Sequence, residues 1–278
     1  MKKIIYNSSI PRSGSELLQV ILHQNPQIYG STTSPLLEYM FAARSNYNLP
    51  EVQSQDPELM QKSFLSMCQG MQQSYYSAIT NRPIVIDKNR GYLHYYEWIE
   101  QFNPNPKMIC MVRDLRSIVA SMEKIFRKNR HTPVGPDNPS TMQNLTTEQR
   151  VEHWLNTQPI GLALQRTNDL FQRNLDKHVL FVRYEDLCNF PIDTMKNVYD
   201  YLGIELFDHN FNCIEKEVVE YDSHFGVYGK HNIQRQLVPA ELDNWKSYLS
   251  EFSGKQIQER FQWYFNNFYS EQKNELFK

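Results

Sequence analysis

Cysteine is scarce in this chain. Its four cysteines, Cys68, Cys110, Cys188 and Cys213, stand far apart with no Cys-x-x-Cys pair. That spacing argues against a zinc ribbon or a disulfide framework and fits a reducing, cytoplasmic compartment. Long apolar runs are also missing: nothing approaches the roughly 20 residues of a membrane span. The apolar stretch behind Lys2 and Lys3 ends after three residues, too short for a signal peptide, and reads better as a first strand. Neither sign of charge dominates, with 29 Lys and Arg against 31 Asp and Glu. A net charge of −2 gives no general pull toward nucleic acid or an anionic membrane, so any anion site must be local. No carboxylates pair at metal-ligand spacing, and no metal is expected. There is no internal repeat and no Gly/Ser linker, which favours one domain over residues 1–278.

What is present is enough for a core: 40% hydrophobic and 13% aromatic residues, with a polar surface implied by a mean hydropathy of −0.62. Ile4–Ser8 reads as a strand, Pro11-Arg12-Ser13-Gly14 as a turn, and Ser15–Gln24 as a helix with Leu17, Leu18, Ile21 and Leu22 on one face. Helical patterns follow at Pro35–Arg44 and Pro57–Ile79, after Asp87 through Phe102, and at Leu115–Arg127. Further strands are expected at Pro83–Asp87, Lys107–Val112 and His178–Arg183, the second apolar enough to be buried on both faces. Four short apolar strands alternating with helices imply an α/β fold with a central, mostly parallel sheet flanked by helices. The chain after Asp186 reads as mostly helical, ending in Pro239–Leu249 and Lys255–Phe268. Lys128–Thr147, rich in Pro, Asn and Thr, reads as a mobile loop and a candidate gate near a substrate site.

The strand–turn–helix at residues 4–24 carries the first chemical signal. Unpaired N–H groups at a helix start hold anions, and Gly14 allows close approach. Arg12 adds a forked cationic donor, and Ser13 and Ser15 add hydroxyls. It is not a Gly-x-x-x-x-Gly-Lys-Ser/Thr cradle, which needs a second glycine and a lysine. Lys88 and Arg113 sit at the carboxyl ends of two further strands, where open α/β sheets bind ligands, and Ser121 lies eight residues after Arg113. Strand-end cations are usually solvated singly; three beside a phosphate-type turn suggest one anion site.

Together these segments resemble the sulfotransferases that use 3'-phosphoadenosine 5'-phosphosulfate (PAPS). Pro11-Arg12-Ser13-Gly14-Ser15-Glu16-Leu17 is similar to their phosphosulfate loop, PRSGTTL or PKSGTTW, and Arg113 through Ser121 to their 3'-phosphate motif. Tyr184-Glu185-Asp186 resembles the motif whose tyrosine reaches adenine. Lys88 matches the catalytic lysine by position, and Lys230 and His231 loosely match a late loop over the 3'-phosphate. The PRSG form looks closer to tyrosylprotein and bacterial or viral members than to phenol and steroid enzymes. The resemblance implies PAPS as co-substrate, no metal, and transfer of a sulfuryl group to an unidentified acceptor: small molecule, saccharide or peptide. Lys88 would neutralise the leaving oxygen, Arg12 and the helix start would hold the 5'-phosphate, and Arg113 and Ser121 the 3'-phosphate.

Two positions depart from the pattern. Glu16 stands where the family has Thr, and Ser13-x-x-Glu16 reads as a capping box that turns its carboxylate away from the ligand. The histidine two residues after the lysine is replaced by Arg90, so Glu38 and His94 are the candidate bases. A non-catalytic bisphosphate-binding protein and, further off, a kinase-like phosphotransferase are the competing readings.

Overall fold

Five short strands, four of them built on Ile, Val, Leu or Met, carry the architecture. The computed structural model describes residues 1–130, 140–221, 224, 233 and 235–270. Strands β1 (Lys3–Asn7), β2 (Ile28–Thr33), β3 (Ile84–Lys88), β4 (Met108–Val112) and β5 (Val179–Arg183) form one sheet in the order β2-β3-β1-β4-β5. Every neighbouring pair is parallel, with Asn7 opposite Lys88 and Val112 opposite Arg183. Parallel strands need crossovers, and helices supply them. α1 (Ser15–His23) joins β1 to β2. α2 (Leu36–Ser45), α3 (Pro50–Gln53) and α4 (Pro57–Ile79) join β2 to β3, and α5 (Tyr96–Glu100) leads to β4. α6 (Leu115–Asn129), α7 (Thr147–Asn156) and α8 (Ile160–Gln172) lead to β5. α9 (Tyr184–Asn189), α10 (Pro191–Leu202), α11 (Glu251–Arg260) and α12 (Gln262–Phe268) follow it.

Alternation along the strands splits the core into two layers. Tyr6, Val85, Cys110 and Val112 face one side, under Leu37, Tyr76, Ile118 and Trp154 of the larger helical layer. Ile5, Ile86, Ile109 and Met111 face the other, against Leu18 and Ile21 of α1 and Val198 and Leu202 of α10. This is the expected central parallel sheet with helices on both faces and a helical C-terminal part.

Two elements differ from the sequence reading. The first is β2, an edge strand, unexpected because Ile-Tyr-Gly-Ser-Thr-Thr has no apolar run. Gly30 explains its composition, since α1 crosses it so closely that a Cβ would lie 2.5 Å from the Gln19 carbonyl oxygen. Gln19 locks the contact by donating to the carbonyls of Ser31 (3.0 Å) and Ile86 (2.9 Å). The second is Pro239–Leu249, which forms only a short 3-10 turn at Asn244–Ser247 instead of a helix. Trp245 is buried there, its ring against Gly254 of α11 and under the Arg116 guanidinium, and that docking overrides helical extension. Of the expected loop at 128–147, α6 takes the first two residues, a 3-10 turn covers Ser140–Asn144, and residues 131–139 lie outside the described residues.

Gly30→Ala should therefore lower unfolding stability by about 1–3 kcal/mol, because neither α1 nor β2 can retreat without breaking the Gln19 bonds. A shift of the urea midpoint at unchanged slope is the expected result.

Candidate functional site

After β1 the chain keeps pairing with β4, Ser8 N–H to the Ile109 carbonyl (2.9 Å) and Ile10 N–H to Met111 (3.2 Å), before it turns. The turn is made by two left-handed residues, Arg12 (φ 63°) and Gly14 (φ 88°). Ser13 Oγ closes it by donating to the Ile10 carbonyl at 2.6 Å. No side chain caps α1, so its first-turn N–H groups are left without helix partners. Gly14 is required twice: its φ is positive, and a Cβ would meet the Tyr184 ring at 2.5 Å.

That ring connects the turn to the far side of the sheet. Tyr184 opens α9 directly after β5, and its face carries the Arg113 guanidinium 4.3 Å from the ring centre. Burial pushes its phenol up to about 12, so the hydroxyl stays a donor. Arg113, just beyond β4, gives one Nη1 bond to the Arg12 carbonyl (3.3 Å), and its buried Nε has no partner among the described residues. Arg12 Nε donates to Ser121 Oγ at 3.3 Å, two turns into α6. Arg12, Gly14, Ser15, Glu16, Arg113 and Tyr184 thus line one cleft of about 360 Å³. Residues 236–241 form its opposite wall, held by bonds from Leu237 N–H to Phe211 and Ala240 N–H to Asn189, both 2.9 Å. Arg113 and Asn244 also border a second recess of about 190 Å³ with Ser117, Ser121 and Lys124.

Lys88, at the end of β3, lies behind Glu16 rather than in the cleft wall. Its backbone N–H donates to Ser31 Oγ (3.0 Å), and its Nζ is bonded to Glu16 Oε2. Both side chains are buried, Lys88 8% and Glu16 5% exposed. Lys216 Nζ takes the other Glu16 oxygen at 2.7 Å and also binds Glu220 at 3.2 Å. Burial alone would raise the Glu16 carboxyl, but the two ammonium groups hold it below its ordinary value. The expected capping box is therefore absent. Ser13 Oγ is spent on Ile10, and two cations outcompete one backbone N–H for a buried carboxylate.

The two candidate bases are not equivalent. Glu38, one turn into α2, receives the Asn89 side-chain amide on both oxygens (3.0 and 3.2 Å), and Asn89 adjoins Lys88. Asn89 is itself fixed by the Ser34 carbonyl and the Gly91 N–H. His94 is turned away, 48% exposed and 3.6 Å from Asp169 of α8. Lys230 and His231 lie outside the described residues. Among the described residues there is no cluster of three or more His, Cys, Asp or Glu that would hold a metal ion, and no helix long and apolar enough to cross a membrane.

A left-handed turn after the first strand of a parallel α/β sheet and arginines beyond two adjacent strands thus border one cleft. Residues 7–209 match the sulfotransferase family, and the chain belongs to it. Its structure is similar to the sulfotransferase domain of the Synechococcus PCC 7002 olefin synthase (TM-score 0.55, 21% identity, 94% of this chain and 95% of that one). It is equally similar to the sulfotransferase domain of the curacin biosynthetic pathway (0.57, 19%, 94% and 98%). The mouse sulfotransferase SULT7A1, solved with PAP, follows at 0.52 and 16%, over 100% of this chain and 89% of that one. At such identities the likeness is one of fold. No curated protein sequence matches.

Sequence reasoning passed over Lys216 and Glu220, whose Lys-x-x-x-Glu spacing ordinarily marks a solvated surface. It also gave no role to Asp87, fully buried beside Lys88. Burial pushes the Asp87 carboxyl up to about 6, although the Tyr92 hydroxyl donates to it at 2.7 Å. The folded chain therefore holds a proton that the unfolded chain releases near 3.8. Stability from this group is present below about pH 4 and is lost as pH rises through about 6, a change of at most about 3 kcal/mol. Asp87→Asn should remove that part of the pH dependence, checked by urea unfolding across this window.

Proposed function

We propose that this chain transfers a sulfuryl group from PAPS to an acceptor hydroxyl or amine and releases adenosine 3',5'-bisphosphate. The observation that carries this reading is the pair of adjoining recesses on either side of Arg113. One is bordered by Arg12, the start of α1 and Tyr184, the other by Ser117, Ser121 and Lys124. Two cationic subsites flanking one adenine-sized cleft suit a nucleotide that bears phosphate at both its 5' and 3' positions. The solved relative that carries PAP supports the same choice. The forked guanidinium groups and uncapped N–H groups fit phosphate oxygens, and the Tyr184 ring, already packed beside Arg113, fits adenine.

In this reading the first-turn N–H groups of α1, with Arg12, Ser13 and Ser15, hold the 5'-phosphosulfate. Arg113 and Ser121 hold the 3'-phosphate, with Lys230 and His231 closing over it. Lys88 meets the charge that develops on the bridging oxygen as sulfur is attacked in line. Glu38 is the favoured base, because Asn89, the residue after Lys88, holds its carboxylate while His94 is paired with Asp169. The PRSG turn inclines the assignment toward the tyrosylprotein and bacterial or viral branch. The acceptor is a small molecule, a saccharide or a peptide.

Lys88→Ala should reduce kcat by at least about 10³-fold and weaken bisphosphate binding less than tenfold, as removal of transition-state charge stabilisation requires. Equal losses in both would favour a non-catalytic binder. Glu38→Gln should cost about 10²–10⁴-fold in kcat and His94→Gln no more than about threefold. Labelled-sulfate transfer to an acceptor panel, with calorimetric binding of the bisphosphate and of ATP, measures each, and preference for ATP would sink the reading.

A further inference from the structure

A carboxylate in the first turn of an anion-binding helix should repel the anion. Glu16 is such a carboxylate: it lines the cleft beside Arg12, Gly14 and Ser15, and it is bonded to the lysine assigned to the leaving oxygen. The surroundings resolve the conflict. Lys88, Glu16, Lys216 and Glu220 form an unbroken chain of alternating charge, two positive and two negative, closed at its far end by the Thr33 N–H on Glu220 at 3.1 Å. All four side chains are largely withdrawn from water, Lys216 being the most open at 24% exposure. A buried carboxylate without a cation is costly, and Glu16 has two.

We propose, building on the sulfotransferase reading above, that Glu16 is a positioning residue for Lys88 and that Lys216 is its electrostatic counterweight. In the ligand-free protein the Glu16 carboxylate stands in for the phosphosulfate anion and keeps the Lys88 ammonium extended toward the cleft. When the donor enters, Lys88 passes to the incoming oxygens and Glu16 stays with Lys216, which keeps its charge turned away from the nucleotide. Lys216 belongs to a stretch without helix or strand, anchored through Glu220 to β2 and through Glu217 to His23 at 3.3 Å. Its position therefore does not depend on the donor, which is what a counterweight needs.

The test is a double-mutant cycle on the full chain, read by calorimetric titration with adenosine 3',5'-bisphosphate and by kcat. Lys216→Met should weaken binding about tenfold or more, because Glu16 then faces the phosphate uncompensated. Glu16→Gln should leave binding unchanged or tighter while kcat falls about 10–100-fold, as Lys88 loses its guide. The double variant should bind within about threefold of Glu16→Gln, the loss being rescued by removing the repelling charge. If the double variant binds as weakly as Lys216→Met, Lys216 acts on the nucleotide itself or only on the fold, and the proposal is wrong. It is equally wrong if Glu16→Gln weakens binding tenfold or leaves kcat intact, a measurement that stands even where Lys216→Met does not fold. Wild-type protein that binds no bisphosphate overturns the sulfotransferase reading along with this one, whereas a binding, active wild type with additive variants overturns this one alone.

Discussion

The constraint on which the rest depends is that all the strands of this sheet run the same way. Strands of five or six residues, covered by helices on both faces, tolerate few polar side chains along their length. Polarity concentrates where the strands leave the sheet, at Asn7, at Asp87 and Lys88, at Arg113, and at Arg183 and Tyr184. Because β3, β1 and β4 are consecutive neighbours, these exits fall side by side. Residues a hundred positions apart then share one edge, and the Arg113–Arg12 and Arg12–Ser121 bonds are the direct record of it. The cleft follows from topology, and loop chemistry tunes what it can bind.

Electrostatics separates ions that build the molecule from ions that serve the cleft. Glu123, fully buried in α6, is saturated: Arg150 grips both its oxygens (2.6 and 2.8 Å) and Arg127 adds a third bond. Such a group has nothing left to offer a ligand, and removing one partner would strand a buried charge. Among the described residues Arg113 is held differently, by an aromatic face and one long side-chain bond to a carbonyl, with Nε unspent. Weak, replaceable partners are what an anion can displace at small cost. On a chain of net charge −2, attraction for any anion has to come from local groups of this kind.

The sequence was legible where local pattern and global fold agree. Ile4–Ser8, Lys107–Val112 and His178–Arg183 are apolar runs with only one place to go, and the turn at Arg12–Gly14 has the residues its backbone requires. Reading failed where a distant partner decides. Nothing near Ile28–Thr33 announces a strand, because its glycine answers to the backbone of α1 and its hydroxyls to β3. Ser13-x-x-Glu16 has the spacing of a capping box, but Lys88 and Lys216 lie 72 and 200 positions further along. Local hydrogen bonding lost to two buried cations that no window of sequence contains.

The overlooked edge strand has a consequence for the base. The register of β2 against β3 shifts between Gly30 and Thr33, and within that irregularity Ser31 Oγ accepts the Lys88 N–H. The chain then reaches Ser34, whose N–H bonds the Lys88 carbonyl at 2.8 Å, and after Pro35 enters α2. Lys88 is thus clasped by the segment that launches the helix bearing Glu38, and Asn89 ties that helix back by its amide. Glu38 is tied to the Lys88 backbone through this run of contacts, Ser31 and Ser34 to Lys88 and Asn89 to Glu38, all at the sheet edge. The His94 side chain has no such tether to the Lys88 segment; its imidazole answers to Asp169 on α8. In the proposed reading the base must be held in register with Lys88, and of Glu38 and His94 the first is the one tied to the segment that clasps it.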